Sequence, residues 1–157
     1  MIKGLYEAHL PVSNLRISVE FYRKLGLELC SEITDTSKVA FFWVEKGKSW
    51  IGLWENDEAV STKYHPSLRH LAFRVELDDL KKAKLKLREN GIELRGDFGL
   101  DPIEPIVMPY NGHAMIYLND PDGNSVELIT YLEKVSENHE IMYLSEWEET
   151  IGSNQVQ

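Results

Sequence analysis

From Gly4 to Val12 the chain reads GLYEAHLPV, with Leu5, Glu7, His9 and Pro11 on one parity, which predicts a strand that ends near the proline. The period then changes. In SNLRISVEFYRKLG, Leu15, Val19, Tyr22 and Leu25 recur at helical spacing, Ser13 or Asn14 can cap, and Gly26 stops the turn. LELCSEI, VAFFWVEKG and KSWIGLWE predict three strands, the last two joined around Lys46, Gly47 and Lys48. The polar run NDEAVSTKYHPS has no clear period and reads as a connection. After it the order repeats. RHLAFRVE predicts a strand, LDDLKKAKLKLRENG a helix with Leu80, Ala83 and Leu87 inward, and IELRG the start of another strand. HAMIYLN and NSVELITYL follow as strands, separated by an Asp-Pro-Asp-Gly turn.

Aligning Val12 on Val75 superimposes strand and helix and then sets LGLEL against NGIEL. The economical reading is an internal duplication of a strand-helix-strand-strand-strand unit. It predicts an α+β fold in which two curved, mostly antiparallel sheets, each backed by a helix, share a concavity. The modules span about 4–56 and 68–132, within a domain of 1–132. Residues 98–112, FGLDPIEPIVMPYNG, carry three prolines and read either as a stiff surface loop or as a flap lined by Phe98, Met108 and Tyr110. The extension 133–157 is acidic and partly helical: IMYLSEW predicts a short amphipathic helix packing through Ile141, Leu144 and Trp147, and GSNQVQ is expected to fray.

Composition narrows the partners. Twenty-six acidic against seventeen basic side chains give a net charge of -9, which disfavours nucleic acid and anionic membranes and leaves a small molecule as the expected partner. The single cysteine, Cys30, rules out an intrachain disulfide and reads as a small buried hydrophobe in a reducing compartment. MIKGLYEAHLPV lacks the regions of a signal peptide, and no apolar run reaches membrane length, so the expected location is the cytoplasm.

The duplication also sets candidate chemistry in register. Glu7 and His70 each stand five residues before their aligned valine, and Glu127 lies on a late strand of the second half. Brought together, they would offer two carboxylates and one imidazole, a donor mixture suited to Mn²⁺, Fe²⁺, Ni²⁺, Zn²⁺ or Mg²⁺. His9 shares the face of Glu7 and is either a fourth ligand or a base. The plainer alternatives stay open: a core histidine at 70, a solvated Glu127, a Glu7 paired with an arginine. His113 and Tyr117 share a parity and either face the same cavity or fill the core.

GLYEAHLPVSNLRISVEFYRKLGLEL, RHLAFRV and YLNDPDGNSVEL, in that order, resemble the vicinal oxygen chelate superfamily of glyoxalase I, bleomycin resistance, fosfomycin resistance and extradiol dioxygenase proteins. The resemblance covers residues 2–132 and implies paired βαβββ modules around a divalent cation that presents two open positions to adjacent oxygens of a substrate. It places His70 at a ligand histidine and Glu127 at the closing ligand glutamate. Glu7 stands where most members have a histidine, and Gly52 where glyoxalase I has a further glutamate, which weighs against glyoxalase I itself. The implied function is a metal-dependent enzyme, lyase or isomerase in kind, with Glu7, His70 and Glu127 as metal ligands and His9 or Glu7 moving a proton. The alternatives are an extradiol-type dioxygenase, with His9 replacing Glu7, or a metal-free, bleomycin-resistance-like binding protein using Phe42, Trp43, Trp50, Trp54 and Tyr110. Whether the chain forms a homodimer is left open.

Overall fold

The structure, a computed structural model, describes residues 4–61 and 69–153. Its contacts divide the chain into two compact units, Met1–Arg69 with Asp120–Asn124, and His70–Asn119 with Ser125–Gln157.

In the first unit β1 (Glu7–Val12) leads to α1 (Leu15–Leu25), then β2 (Glu28–Ile33), β3 (Val39–Glu45), β4 (Ser49–Glu55) and the short α2 (Asp57–Ser61). Asn14 starts α1 by accepting the Ile17 N–H on its side chain at 3.1 Å, and Gly26 ends it at φ 107°, where a side chain would be strained. The sheet order is β1-β4-β3-β2, with β1 parallel to β4 and the other pairs antiparallel. Alternation sorts the side chains. Leu10, Val12, Ala40, Phe42, Ile51 and Leu53 are buried on one face with Leu15, Val19 and Tyr22 of α1; the Tyr22 and Phe42 rings are 6.0 Å apart. Glu7, His9, Phe41, Trp43, Trp50, Gly52 and Trp54 share the other face.

The second unit repeats the plan with additions: β5 (His70–Arg74), α3 (Leu77–Glu89), β6 (Leu94–Arg95), β7 (Ile106–Met108), β8 (His113–Asn119), β9 (Ser125–Tyr131), β10 (Met142–Tyr143) and α4 (Leu144–Ser153). Its order is β10-β7-β8-β9-β5, with β6 also on β8 and β5 parallel to β9. Each unit thus holds one βαβββ-like module, the paired α+β arrangement expected from the duplication.

Several local expectations change. Residues 98–112 are neither a plain loop nor a flap, because Ile106–Met108 pairs with both β8 and β10; Phe98 and Tyr110 stay exposed, and Tyr110 stacks on His139 at 4.3 Å. Cys30 is exposed, since it sits at a register shift on β2, the edge strand, rather than in the core. The connection NDEAVSTKYHPS begins with α2, and residues 62–68 lie outside the described ones. Leu144 and Trp147 are buried on α4, whereas Ile141 precedes the helix and packs against the Ile106, Met115 and Tyr117 cluster. Gly152 and Ser153, expected to fray, continue α4; residues 154–157 lie outside the described ones. Among the described residues, no helix is long and apolar enough to cross a membrane.

The Asp-Pro-Asp-Gly turn begins with a buried carboxylate, although Pro121 and Gly123 are exposed. Asp120 is 4 % exposed, and its carboxylate accepts the backbone N–H of Asp122 at 3.0 Å and of Asn124 at 2.8 Å, the Asn124 amide at 2.6 Å and the Tyr22 hydroxyl at 3.1 Å. Burial raises its pKa above the ordinary carboxyl value, and those same donors partly offset the rise.

Candidate functional site

β5 and β9 run parallel with His70 opposite Ser125, so Glu127, two residues further along, lies diagonally across from His70 on the same face. The His70 Nε2 and Glu127 Oε2 atoms are 2.9 Å apart. Glu127 is 6 % exposed, so its carboxylate is an inward group and not a solvated one. Of the alternatives left open by sequence, solvation of Glu127 is thereby overturned.

The other ring nitrogen of His70 faces a partner that can work both ways. Nδ1 is 3.1 Å from Ser125 Oγ, and that hydroxyl also accepts from Arg95 at 2.8 Å. A serine hydroxyl can donate to Nδ1 or accept from it. When Nε2 carries the proton it donates to Glu127; when Ser125 accepts from Nδ1–H, the Nε2 lone pair is released toward Glu127. Arg95 is itself held by Asp97 at 2.6 Å and Asn119 at 3.1 Å, and its guanidinium lies over the Tyr117 ring at 5.0 Å. Tyr117 is the register partner of Glu127. Burial first, then the charge of Glu127, push its phenol well up, so it is a neutral hydroxyl at physiological pH. His113, on the same parity, instead packs edge-on to Tyr131 at 5.0 Å.

The first unit holds the other pair. Glu7 and His9 project from β1, with Glu7 Oε2 3.6 Å from His9 Nε2. The Trp50 indole N–H donates to Glu7 at 2.9 Å, and the Trp54 indole N–H donates to His9 Nδ1 at 2.7 Å. An indole nitrogen only donates, so neutral His9 has its proton on Nε2 and no lone pair to spare. Gly52, opposite His9, leaves room for the ring: a Cβ there would lie 2.3 Å from Nδ1. Trp43 stands edge-on to Trp50 at 5.4 Å, giving the pair an aromatic surround. Phe42 belongs to the helix-covered face and takes no part.

His70 and Glu127 are the residues that could hold a divalent cation. Ligands at about 2.1 Å and right angles are about 3.0 Å apart, close to the separation of the two donor atoms, and imidazole plus carboxylate is a common donor set. His9 as it stands does not fit, because a ligating histidine ordinarily donates its second N–H rather than accepting there. Each unit brings two of the expected residues together. Among the described residues, no three His, Cys, Asp or Glu side chains are gathered into one metal-sized cluster.

Residues 4–128 match the profile of the Glyoxalase/Bleomycin resistance protein/Dioxygenase superfamily. The chain belongs to this superfamily. It is 30% identical over 131 residues to a metallothiol transferase FosB of Staphylococcus epidermidis, an alignment covering 83% of this chain and 85% of the relative. A metallothiol transferase FosB of Bacillus licheniformis is 26% identical over 129 residues, covering 82% and 76%. Among solved structures, an integron cassette protein from the mobile metagenome of a Halifax Harbour sewage outfall superimposes with a TM-score of 0.62 at 27% identity, covering 82% of this chain and 99% of that one. The fosfomycin resistance protein FosX of Listeria monocytogenes shares the fold, with a TM-score of 0.61 at 23% identity and coverage of 85% and 97%. Membership of the superfamily associates the chain with enzymes acting on small ligands.

The sequence pointed to His70 and Glu127, which the structure brings together, but not to Ser125, Arg95 and Trp54 as the groups that set the histidines' protons. Parity on NSVELITYL puts Ser125 and Glu127 on one face and was the available signal for the first of these.

Proposed function

We propose that the chain is a divalent-metal-dependent enzyme acting on a small molecule through two adjacent oxygens, with His70 and Glu127 as ligands. The observation that carries this is the 2.9 Å approach of His70 Nε2 to the buried Glu127 carboxylate, with a hydroxyl behind the ring that can release the lone pair. The metal is Mn, Fe, Ni or Zn.

When bound, the cation supplies polarisation of the substrate oxygens. The chain supplies orientation and proton handling. Arg95 holds Ser125 and so the His70 ring, and Tyr117 offers a neutral hydroxyl beside Glu127. Of the two proposed proton-moving residues, Glu7 is the better acceptor, because His9 gains a proton on Nδ1 only after Trp54 lets go. The relatives named metallothiol transferase favour addition of a thiol to a small substrate over a lyase or isomerase reaction.

A second reading, a metal-free binding protein, draws on the aromatic surround of Glu7 and His9 formed by Phe41, Trp43, Trp50 and Trp54. Elemental analysis of untagged protein prepared without chelator separates the two. Near-stoichiometric metal in the wild type, lost in Glu127→Ala, is the expected result. No metal in the wild type and no uptake on titration would overturn the metalloenzyme reading in favour of the aromatic site.

A further inference from the structure

β9 has two faces, and the second carries its own cavity. Side chains alternate, so Thr130 points away from the face of Glu127. There, a cavity of about 350 Å³ lies among Leu77 at the start of α3, Thr130, Leu132 and, from α4, Leu144, Trp147 and Ile151. A second cavity, of about 160 Å³, shares Lys134, Trp147 and Ile151 with it. The larger volume is within the range of small-molecule sites. The acidic extension is thus more than a solvated tail. Leu144 N–H donates to Pro105 at 2.8 Å, the Ser145 hydroxyl to Glu104 at 2.7 Å, and Lys81 of α3 pairs with Glu148 at 2.6 Å, so α4 is fastened as one wall.

Two residues lining this cavity carry donors without a hydrogen-bond partner. Thr130 is 7% and Trp147 3% exposed, yet among the described residues neither the hydroxyl nor the indole N–H has a hydrogen-bond partner. Among the described residues, no buried side-chain nitrogen or oxygen is left without a partner, so both atoms keep access to solvent; Thr130 lines this cavity, and Trp147 lines it and the smaller one. A nearly buried donor with no acceptor is a costly arrangement unless a ligand or water completes it. The rim is acidic. Glu76 and Glu133 have no cationic partner among the described residues, Glu148 is paired with Lys81, and Lys134 is the cation lining the cavity. That balance opposes carboxylates and phosphates and accepts neutral or positively charged groups.

We propose that this cavity is a second small-molecule site, which takes a compact apolar or aromatic ligand with a hydrogen-bond acceptor for Trp147 and Thr130 and an amino group for the Glu76 and Glu133 rim. It is independent of the metal reading, since it lies on the other face of β9 and shares no residue with His70 and Glu127.

Two probes of equal shape and opposite charge test it, 4-(aminomethyl)benzamide and 4-carbamoylbenzoate, each titrated into ¹⁵N-labelled protein. The indole N–H signal of Trp147 is assigned by its loss in Trp147→Phe. The ammonium probe is expected to shift that signal selectively among the four tryptophans, with a Kd on the order of 1 mM, as suits a fragment of this size. The carboxylate probe should bind at least about tenfold more weakly. Thr130→Val, which keeps shape and leaves no orphan group, should weaken binding while the rest of the spectrum stays folded. Glu127→Ala should leave the titration unchanged. No selective shift up to about 20 mM, equal affinity for the two probes, or indifference to Thr130→Val would each overturn the proposal.

Discussion

Trp54 and His9 are joined by a 2.7 Å hydrogen bond in which the indole donates to Nδ1, and this fixes the imidazole's proton on Nε2, facing Glu7. Removing the donor should release the tautomer. In Trp54→Phe, ¹⁵N shifts of the His9 ring are expected to move from an Nε2–H pattern toward a mixture, whereas wild type shows a single tautomer. An unchanged pattern in the variant would mean that Glu7, and not Trp54, sets the proton.

Gly52 makes that bond sterically feasible. A methyl group there would meet the His9 ring at 2.3 and 2.8 Å and Phe41 at 3.1 Å. The imidazole is partly exposed and can swing outward, so the expected cost of Gly52→Ala is the lost bond plus local strain, about 1–2 kcal/mol in urea unfolding. The Trp54 indole N–H should then exchange faster with solvent. Full stability with an intact Trp54 signal would refute the contact.

Ser125 is expected to govern His70 as Trp54 governs His9, but in the permissive direction. Ser125→Ala removes the acceptor behind Nδ1 and leaves Arg95 without one of its partners. Cation affinity, read by competition with a chromogenic chelator, should fall by about 10–100-fold with the fold retained. Ser125→Thr should retain most of it. Equal loss in both variants would point to packing and not to the hydroxyl.

Asp120 gives stability a pH dependence opposite to that of an exposed ion pair. Its folded pKa is raised above the ordinary 3.8, so the folded chain holds this proton more tightly than the unfolded one. The associated stability is fully present below the unfolded pKa and is lost as pH rises through the folded value. The stability advantage of wild type over Asp120→Asn should therefore be larger near pH 3.5 than near pH 7. It should remain positive at both, by about 1–3 kcal/mol at neutral pH, because the carboxylate answers donors from Tyr22, Asp122 and Asn124. A gap that widens with pH would contradict the sign.

The period changes made both βαβββ modules legible, and Asn14 and Gly26 marked α1 because capping is local chemistry. The repeat drew attention to His70 and the resemblance to Glu127, and the parallel β5–β9 register is what sets them side by side. β7 was not, since three residues between Pro105 and Pro109 carry a loop's composition and become a strand only by pairing with β8 and β10. The Trp54 bond was hidden for a related reason: its partner is 45 positions away, and only the β1–β4 register brings the two together. The turn at Asp120 was legible, but its buried carboxylate was not, because its partner Tyr22 lies 98 positions earlier.

That last link limits how the chain can be divided. The turn at Asp120–Asn124 belongs to the first unit, although the strands on either side of it belong to the second. A fragment ending before Asp120 leaves the fully buried Tyr22 hydroxyl without its acceptor, and Ser13 and Ser18 without Asp122. During synthesis the first repeat cannot complete its interior until most of the second has left the ribosome.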